Sequence, residues 1–332
     1  MTAMGKRERV AASLAGEEVD RVPISLWSHF PSDPRRADEL AATLVDWQRR
    51  YDWDFVKMMP NGSFYPEALG CTLTPPVGPS AINGISDSVV KRPEDWERLP
   101  VLDPGQGWLA EHVRSIRLVR EALGPDVPIV ESLFSPLTVA HKMSVHVPFE
   151  ESVREHRASL EVGLRAIAEG SKRFAEAALE AGADGFFFAT QEATRDVLTE
   201  AEFLALGKPY DLEILRHVAG RCTFNLLHVC RVNIMADLVA DYPAHAVNWE
   251  SHGAHPTLAE ARLIWPYTLV GGLDRNGALV HGTPEDVAAE VRRAIAEAGP
   301  RRFIVGAGCV VPVGRPDANL LAARRAVEVP RR

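Results

Sequence analysis

Three residues in the second half of the chain are spaced for chemistry: His228 and Cys230, one residue apart, and Cys309 far downstream. In an extended segment the side chains at i and i+2 project to the same face. The imidazole and thiol of His228-Val229-Cys230 therefore point together. Two thiolates and one imidazole form a borderline-soft donor set that suits zinc, and a carboxylate completes a tetrahedral site. Glu250 is the first candidate for that carboxylate, because strand ends hold ligands more rigidly than loops; His252 and His255 are the alternatives. H-x-C alone is weak evidence, since cysteines are often simply buried and a strand-end histidine is often only a satisfied polar group. What matters is whether the fold brings the three residues together.

Eight short apolar runs alternate with amphipathic helical stretches: VPISLW (22–27), DFVKMM (54–59), PIVESLF (128–134), ADGFFFAT (183–190), CTFNLLHVC (222–230), HAVNWE (245–250), YTLVGGLD (267–274) and RFIVGAGCVV (302–311). Each is short, rich in β-branched or aromatic residues and bounded by Gly, Pro or polar residues, as strands are. The stretch around 152–182 carries a helical stripe of Leu160, Leu164, Ile167, Phe174, Ala178 and Leu179. Thr283, Pro284 and Gly299 punctuate another helix as N-cap, first-turn proline and C-terminal glycine. Eight strands alternating with helices predict an α/β fold, a (β/α)8 TIM barrel in one domain over residues 1–332. No G-x-G-x-x-G follows a strand, which removes the main argument for a dinucleotide-binding sheet. The rhythm breaks between strands 2 and 3. Residues 60–128 read as a loop-rich insertion over the barrel mouth, with one regular helix near 109–123.

Active sites of such barrels form at the C-terminal strand ends, so the residue closing each run is informative. His228, Cys230, Glu250 and Cys309 all fall there, from three strands. Cys222 starts the run that Cys230 ends and reads as an inert core thiol, as does Cys71 in the insertion. Glu131 and Asp274 join Glu250 as candidate catalytic carboxylates. Trp27, His29, Glu192 and Arg275 are candidates for cofactor or substrate contact, with Gln191 and Phe30 nearby; packing explains the bulk of Trp27 and Phe30 equally well. Arg231, Arg275 and Arg315 could form a positive pocket for an anionic substrate, or simply balance an acidic surface. A net charge of −8 argues against nucleic-acid binding, and no apolar run approaches the roughly 20 residues of a membrane span. The charged N-terminal stretch lacks a signal-peptide core, so a cytoplasmic protein is expected.

Over essentially its full length the sequence resembles the uroporphyrinogen decarboxylase superfamily. The resemblance rests on RERVAASLAGEEVDRVPISLW, VVKRPEDWERLPVLDP, LVGGLDRNGALVHGTPEDVAAEVRRAI and GCVVPVGRPDANLLAARRAV. It implies a (β/α) barrel, often a homodimer. The decarboxylases carry an R-Q-A-G-R-type segment after the first strand, where this chain has SLWSHFPSDPRR, and a G-H-G-type turn where it has Gly308-Cys309-Val310. Without those arginines the carboxylate clamps of a porphyrinogen substrate are missing. The order His228-x-Cys230, Glu250, Cys309 is similar to the zinc set of the superfamily's methyltransferase branch and of cobalamin-independent methionine synthase.

That resemblance implies a zinc-dependent methyltransferase moving a methyl group between methylcobalamin on a partner corrinoid protein and a thiol or related small-molecule acceptor. A free thiol has a pKa of about 8.5, and coordination to zinc stabilises the nucleophilic thiolate. Glu250 would then be the displaceable ligand. Two rivals remain: a metal-free decarboxylase or lyase of the same fold, and a non-catalytic zinc-binding subunit of a demethylase complex.

Overall fold

The computed structural model describes residues 2–328. Its nine strands, in chain order, are β1 (Val56–Lys57), β2 (Thr72–Val77), β3 (Ile82–Asp87), β4 (Ile129–Phe134), β5 (Gly185–Thr190), β6 (Leu226–Val229), β7 (Ala246–Trp249), β8 (Thr268–Leu273) and β9 (Phe303–Ala307). Seven of them form one parallel sheet in the order β1-β4-β5-β6-β7-β8-β9, and β2 pairs only with β3. The first apolar run supplies the eighth stave, reduced to a parallel bridge between Ile24 and Val305. Ser25 N–H donates to Val305 O (3.1 Å), Val305 N–H to Pro23 O (2.8 Å) and Asp54 N–H to Ile24 O (2.9 Å), which links the sheet edges into a barrel. This stave is thin because Pro23 has no N–H to give a ladder. The Ser25 hydroxyl compensates by donating to Phe55 O at 2.8 Å.

The other seven runs contain the strands expected, trimmed at their ends. The run 222–230 is trimmed at its start, since β6 begins only at Leu226. Thr223 and Phe224 N–H groups both turn to Asp184 O, and the Asn225 side chain caps Phe186 N–H, so these residues leave the ladder. Cys222 thus precedes the strand; burial pushes its thiol up to about 11, as an inert core cysteine requires.

Helices cover the sheet's outer face. The long one runs Arg157–Glu180 and buries Leu160, Leu164, Ile167, Phe174 and Ala178. Thr283 caps Pro284–Ala298 by accepting from Asp286 N–H at 3.2 Å, and Gly299 ends it at φ +75°, a left-handed angle that glycine adopts without strain. Buried apolar side chains form one continuous core from Val10 to Val327.

Residues 60–128 are more ordered than the sequence suggested. They hold a short helix, Phe64–Ala68, the β2–β3 hairpin, a 3-10 turn at Pro93–Arg98 and the helix Gly107–Leu123. The hairpin was masked by Pro75 and Pro76, which read as breakers. Register shifts around Leu73 and Pro76 let an isolated edge pair tolerate them. Of this segment, Pro60, Gly62 and Ile82 line the cavity at the barrel mouth. Gly107–Leu123 packs on the helix Ala37–Tyr51 as part of the barrel wall. No helix among the described residues is long and apolar enough to cross a membrane.

Candidate metal centre

β6 ends at Val229 and β9 at Ala307, so Cys230 lies one residue and Cys309 two residues past a strand end, and the barrel closure brings those ends together. The donor atoms of His228, Cys230 and Cys309 lie within 4.8 Å of one another, the one cluster of this kind among the described residues. Cys309 Sγ is 3.6 Å from His228 Nε2. His228 is 2 % exposed; its ring stacks on Phe187 at 4.9 Å, and its Nδ1 lies 2.7 Å from Asn248 Oδ1. The two thiols divide in acidity. The nearness of each thiol to the other lowers the pKa of Cys309, helped by His228 and Arg275, and raises that of Cys230.

Glu250 stands one residue past β7 and outside this trio. Its Oε2 accepts from Arg275 Nε at 3.2 Å, whereas Oε1 is buried and finds no partner among the described residues. The carboxylate is close against Gly308: a Cβ there would lie 2.4 Å from Oε1. Burial raises its pKa, with Arg275 opposing. Two sulfurs, an imidazole nitrogen and an orphaned carboxylate oxygen beside Cys309 fit a zinc donor set. The loop histidines are turned elsewhere. His252 faces Glu290 at 3.6 Å and His255 faces Glu260 at 2.9 Å.

The trio forms one wall of a cavity of about 250 Å³. His29, Gln191 and Arg275 also line it, together with Lys57 and Lys142, which the sequence reading passed over. Lys57 Nζ donates to Ser132 Oγ at 2.9 Å and lies 4.4 Å from the Phe187 ring centroid. Lys142 lies 3.9 Å from the Phe134 ring centroid and donates to Gly62 O. Among the described residues neither lysine forms a salt bridge. Burial pulls Lys57 down to about 7, Lys142 to about 8 and His29 to about 4. Behind Lys57, burial pushes Glu131 up to about 8, against the pull of the lysine; its Oε1 accepts from Ser132 N–H, and Oε2 is unpartnered among the described residues.

Several candidates sit away from the cavity wall. Trp27 is buried, 5.2 Å from Phe187 and 6.3 Å from Phe55 between ring centroids. Asp274 caps its own turn by accepting from Asn276 N–H at 2.9 Å. Glu192 ties Thr138 to His141 and so anchors the helix Pro136–Met143 that carries Lys142. Arg231 is exposed and donates to Gln191 O, while Arg315 stacks on Trp47 and Phe30 packs beside the same ring. Lys57 and Asn248 had a usable signal: each is the one charged or amide side chain in the interior of its run, DFVKMM or HAVNWE, whose other polar residues stand at the ends. Lys142, on a helix after β4, had none.

A barrel with this site defines a recognisable group. The uroporphyrinogen decarboxylase (URO-D) family model matches residues 5–329, and the chain belongs to that family. Within it, the sequence is 25% identical over 350 residues to the methylcobamide:CoM methyltransferase MtaA of Methanosarcina barkeri, covering 96% of this chain and 97% of that one. It is 22% identical over 337 residues to MtbA of Methanosarcina acetivorans, also a methylcobamide:CoM methyltransferase, covering 96% of each. The fold matches a methyltransferase from Methanosarcina mazei with a TM-score of 0.82 at 22% identity, over 97% of this chain and 98% of that one. It also matches a B12-independent methionine synthase from Shewanella sp., with a TM-score of 0.63 at 14% identity, over 93% and 97%.

Proposed function

We propose that this protein is a zinc-dependent methyltransferase that moves a methyl group between a corrinoid-bearing partner protein and a small anionic thiol. The observation that carries the reading is the convergence of His228, Cys230 and Cys309 on one wall of a cavity at the barrel mouth. Bound zinc would supply the Lewis acidity that keeps a thiol acceptor deprotonated near neutral pH. The remaining work falls to this chain's own groups. His228, Cys230 and Cys309 hold the metal, Glu250 completes the set, and Arg275 offers the Glu250 carboxylate a second place to rest. Lys57, buried, and Lys142, half-buried, both without carboxylate partners, favour an acceptor with an anionic end, which would occupy the cavity and be desolvated there. The names of the relatives supply the donor and acceptor classes, a methylcobamide and a thiol.

The test is metal content combined with zinc-edge X-ray absorption. Purified protein should hold about one zinc per chain, and Cys309→Ser should lose most of it. Adding 2-mercaptoethanesulfonate or 3-mercaptopropionate should replace an oxygen scatterer by sulfur, whereas 2-mercaptoethanol should do so only at far higher concentration. A fully active, metal-free wild type would overturn the proposal.

A further inference from the structure

We propose that Asn248 is a positioning residue that locks His228 into the one tautomer able to present Nε2 as a metal ligand. The two residues are register partners on β6 and β7, and both are buried inside the barrel. Asn248 Nδ2 lies 2.8 Å from Val270 O and 2.9 Å from Ala307 O. Carbonyl oxygens only accept, so the atom facing them is the amide nitrogen, and both of its protons are used. The amide orientation is thereby determined by β8 and β9, without reference to His228. Oδ1 must then face the imidazole, 2.7 Å from Nδ1. That oxygen is acceptor-only, so Nδ1 carries the proton and Nε2 keeps its lone pair, directed to the side where Cys309 Sγ lies 3.6 Å away.

No other side chain of this length meets this set of demands. Aspartate keeps an acceptor for Nδ1–H but cannot donate to both carbonyls. Serine, alanine and leucine lose the bridge to β8 and β9. Phe187, stacked on the ring at 28° between planes, restrains its tilt, while Asn248 alone decides which nitrogen is protonated. Partners of this kind on a metal-ligating histidine are worth about 10–100-fold in metal affinity. The inference rests on the metal reading only for its consequence; the tautomer belongs to the metal-free protein as well.

The experiment compares wild type, Asn248→Ala and Asn248→Asp by two readouts. In metal-free, 15N-labelled protein, long-range proton–nitrogen correlation should find His228 protonated at Nδ1 in wild type and Asn248→Asp, and as a tautomer mixture in Asn248→Ala. In chelator competition, Asn248→Ala should bind zinc about 10–100-fold more weakly, and Asn248→Asp should stay within about threefold of wild type. Both variants lose amide donors and should unfold at lower urea. A merely structural role would therefore lower both midpoints and leave the two zinc affinities equal. Wild-type His228 protonated at Nε2, or undiminished zinc affinity in Asn248→Ala, would overturn the proposal. If Asn248→Ala does not fold, the wild-type tautomer and the Asn248→Asp affinity still decide it. If wild type binds no zinc, the metal reading fails while the tautomer result still judges Asn248.

Discussion

Asp54 and Lys57 belong to the same short run, Asp54 two residues before β1 and Lys57 at its end, both buried, yet only one has an ionic partner. At the N-terminal floor Asp54 accepts from Arg9 Nη1 at 2.8 Å, Arg21 Nη1 at 2.7 Å and Ile24 N–H at 2.8 Å. Arg9 also binds Asp20 at 2.7 Å and holds that carboxyl well below the usual range. Asp184, before β5, gathers Arg7 and Arg120 at 2.6 Å each in the same way. At the C-terminal mouth Lys57 is buried and Lys142 half-buried, neither with a carboxylate partner, while Glu250 Oε1 and, behind Lys57, Glu131 Oε2 find no hydrogen-bond partner among the described residues. The same barrel therefore satisfies its charges where it needs stability and leaves them open where a ligand can answer them. A buried charge left open costs folding free energy, so its persistence around one cavity marks that end as functional.

The largest effect should come from the floor. Asp54→Ala leaves the half-buried Arg21 without its carboxylate and the buried Arg9 with Asp20 alone, and should cost about 3–5 kcal/mol in urea unfolding, while the folded fraction keeps its zinc. Parallel loss of zinc would break the division between the two ends. At the mouth the reverse is expected. Lys57→Met removes a charge with no ionic partner, so the unfolding midpoint should hold or rise, while KM for an anionic thiol rises about 10–100-fold, equivalent to about 1.4–2.7 kcal/mol. A KM that does not move would take Lys57 out of the acceptor site.

A smaller effect should follow pH. Lys57 and Lys142 are bases with lowered pKa values of about 7 and 8, so each is cationic below its value and neutral above it. Glu131, facing Lys57, is uncharged below about 8 and becomes an anion above it. Both changes weaken anion binding as pH rises, so KM for an anionic thiol should climb several-fold between pH 7 and 9. A neutral thiol should show a flatter profile over the same range. The smallest effect belongs to Cys222→Ala, which should leave zinc stoichiometry unchanged and cost about 1 kcal/mol or less.

Much of this was legible along the chain. The eight runs announced the barrel because strand propensity and period are local properties, and H-x-C announced a shared face because alternation of side chains is local too. The hairpin at Thr72–Asp87 was hidden, because the prolines that argue against a central strand do not argue against an isolated edge pair. Lys57 and Asn248 were visible as polar intrusions in apolar runs, but their partners, Ser132 and His228, lie 75 and 20 residues away in sequence.

Residue type and periodicity by themselves determined the architecture, the trio of soft donors and the end of the barrel where they would gather. Tertiary structure alone decided that Glu250 leans on Arg275 with one oxygen unclaimed, that two lysines join Arg275 at the cavity while Arg231 and Arg315 stay off its wall, and that an asparagine orients the histidine. The physical reason is that propensity acts between neighbours in sequence, whereas hydrogen-bond satisfaction and charge pairing act between neighbours in space. Those spatial neighbours exist only once the last strand has closed on the first.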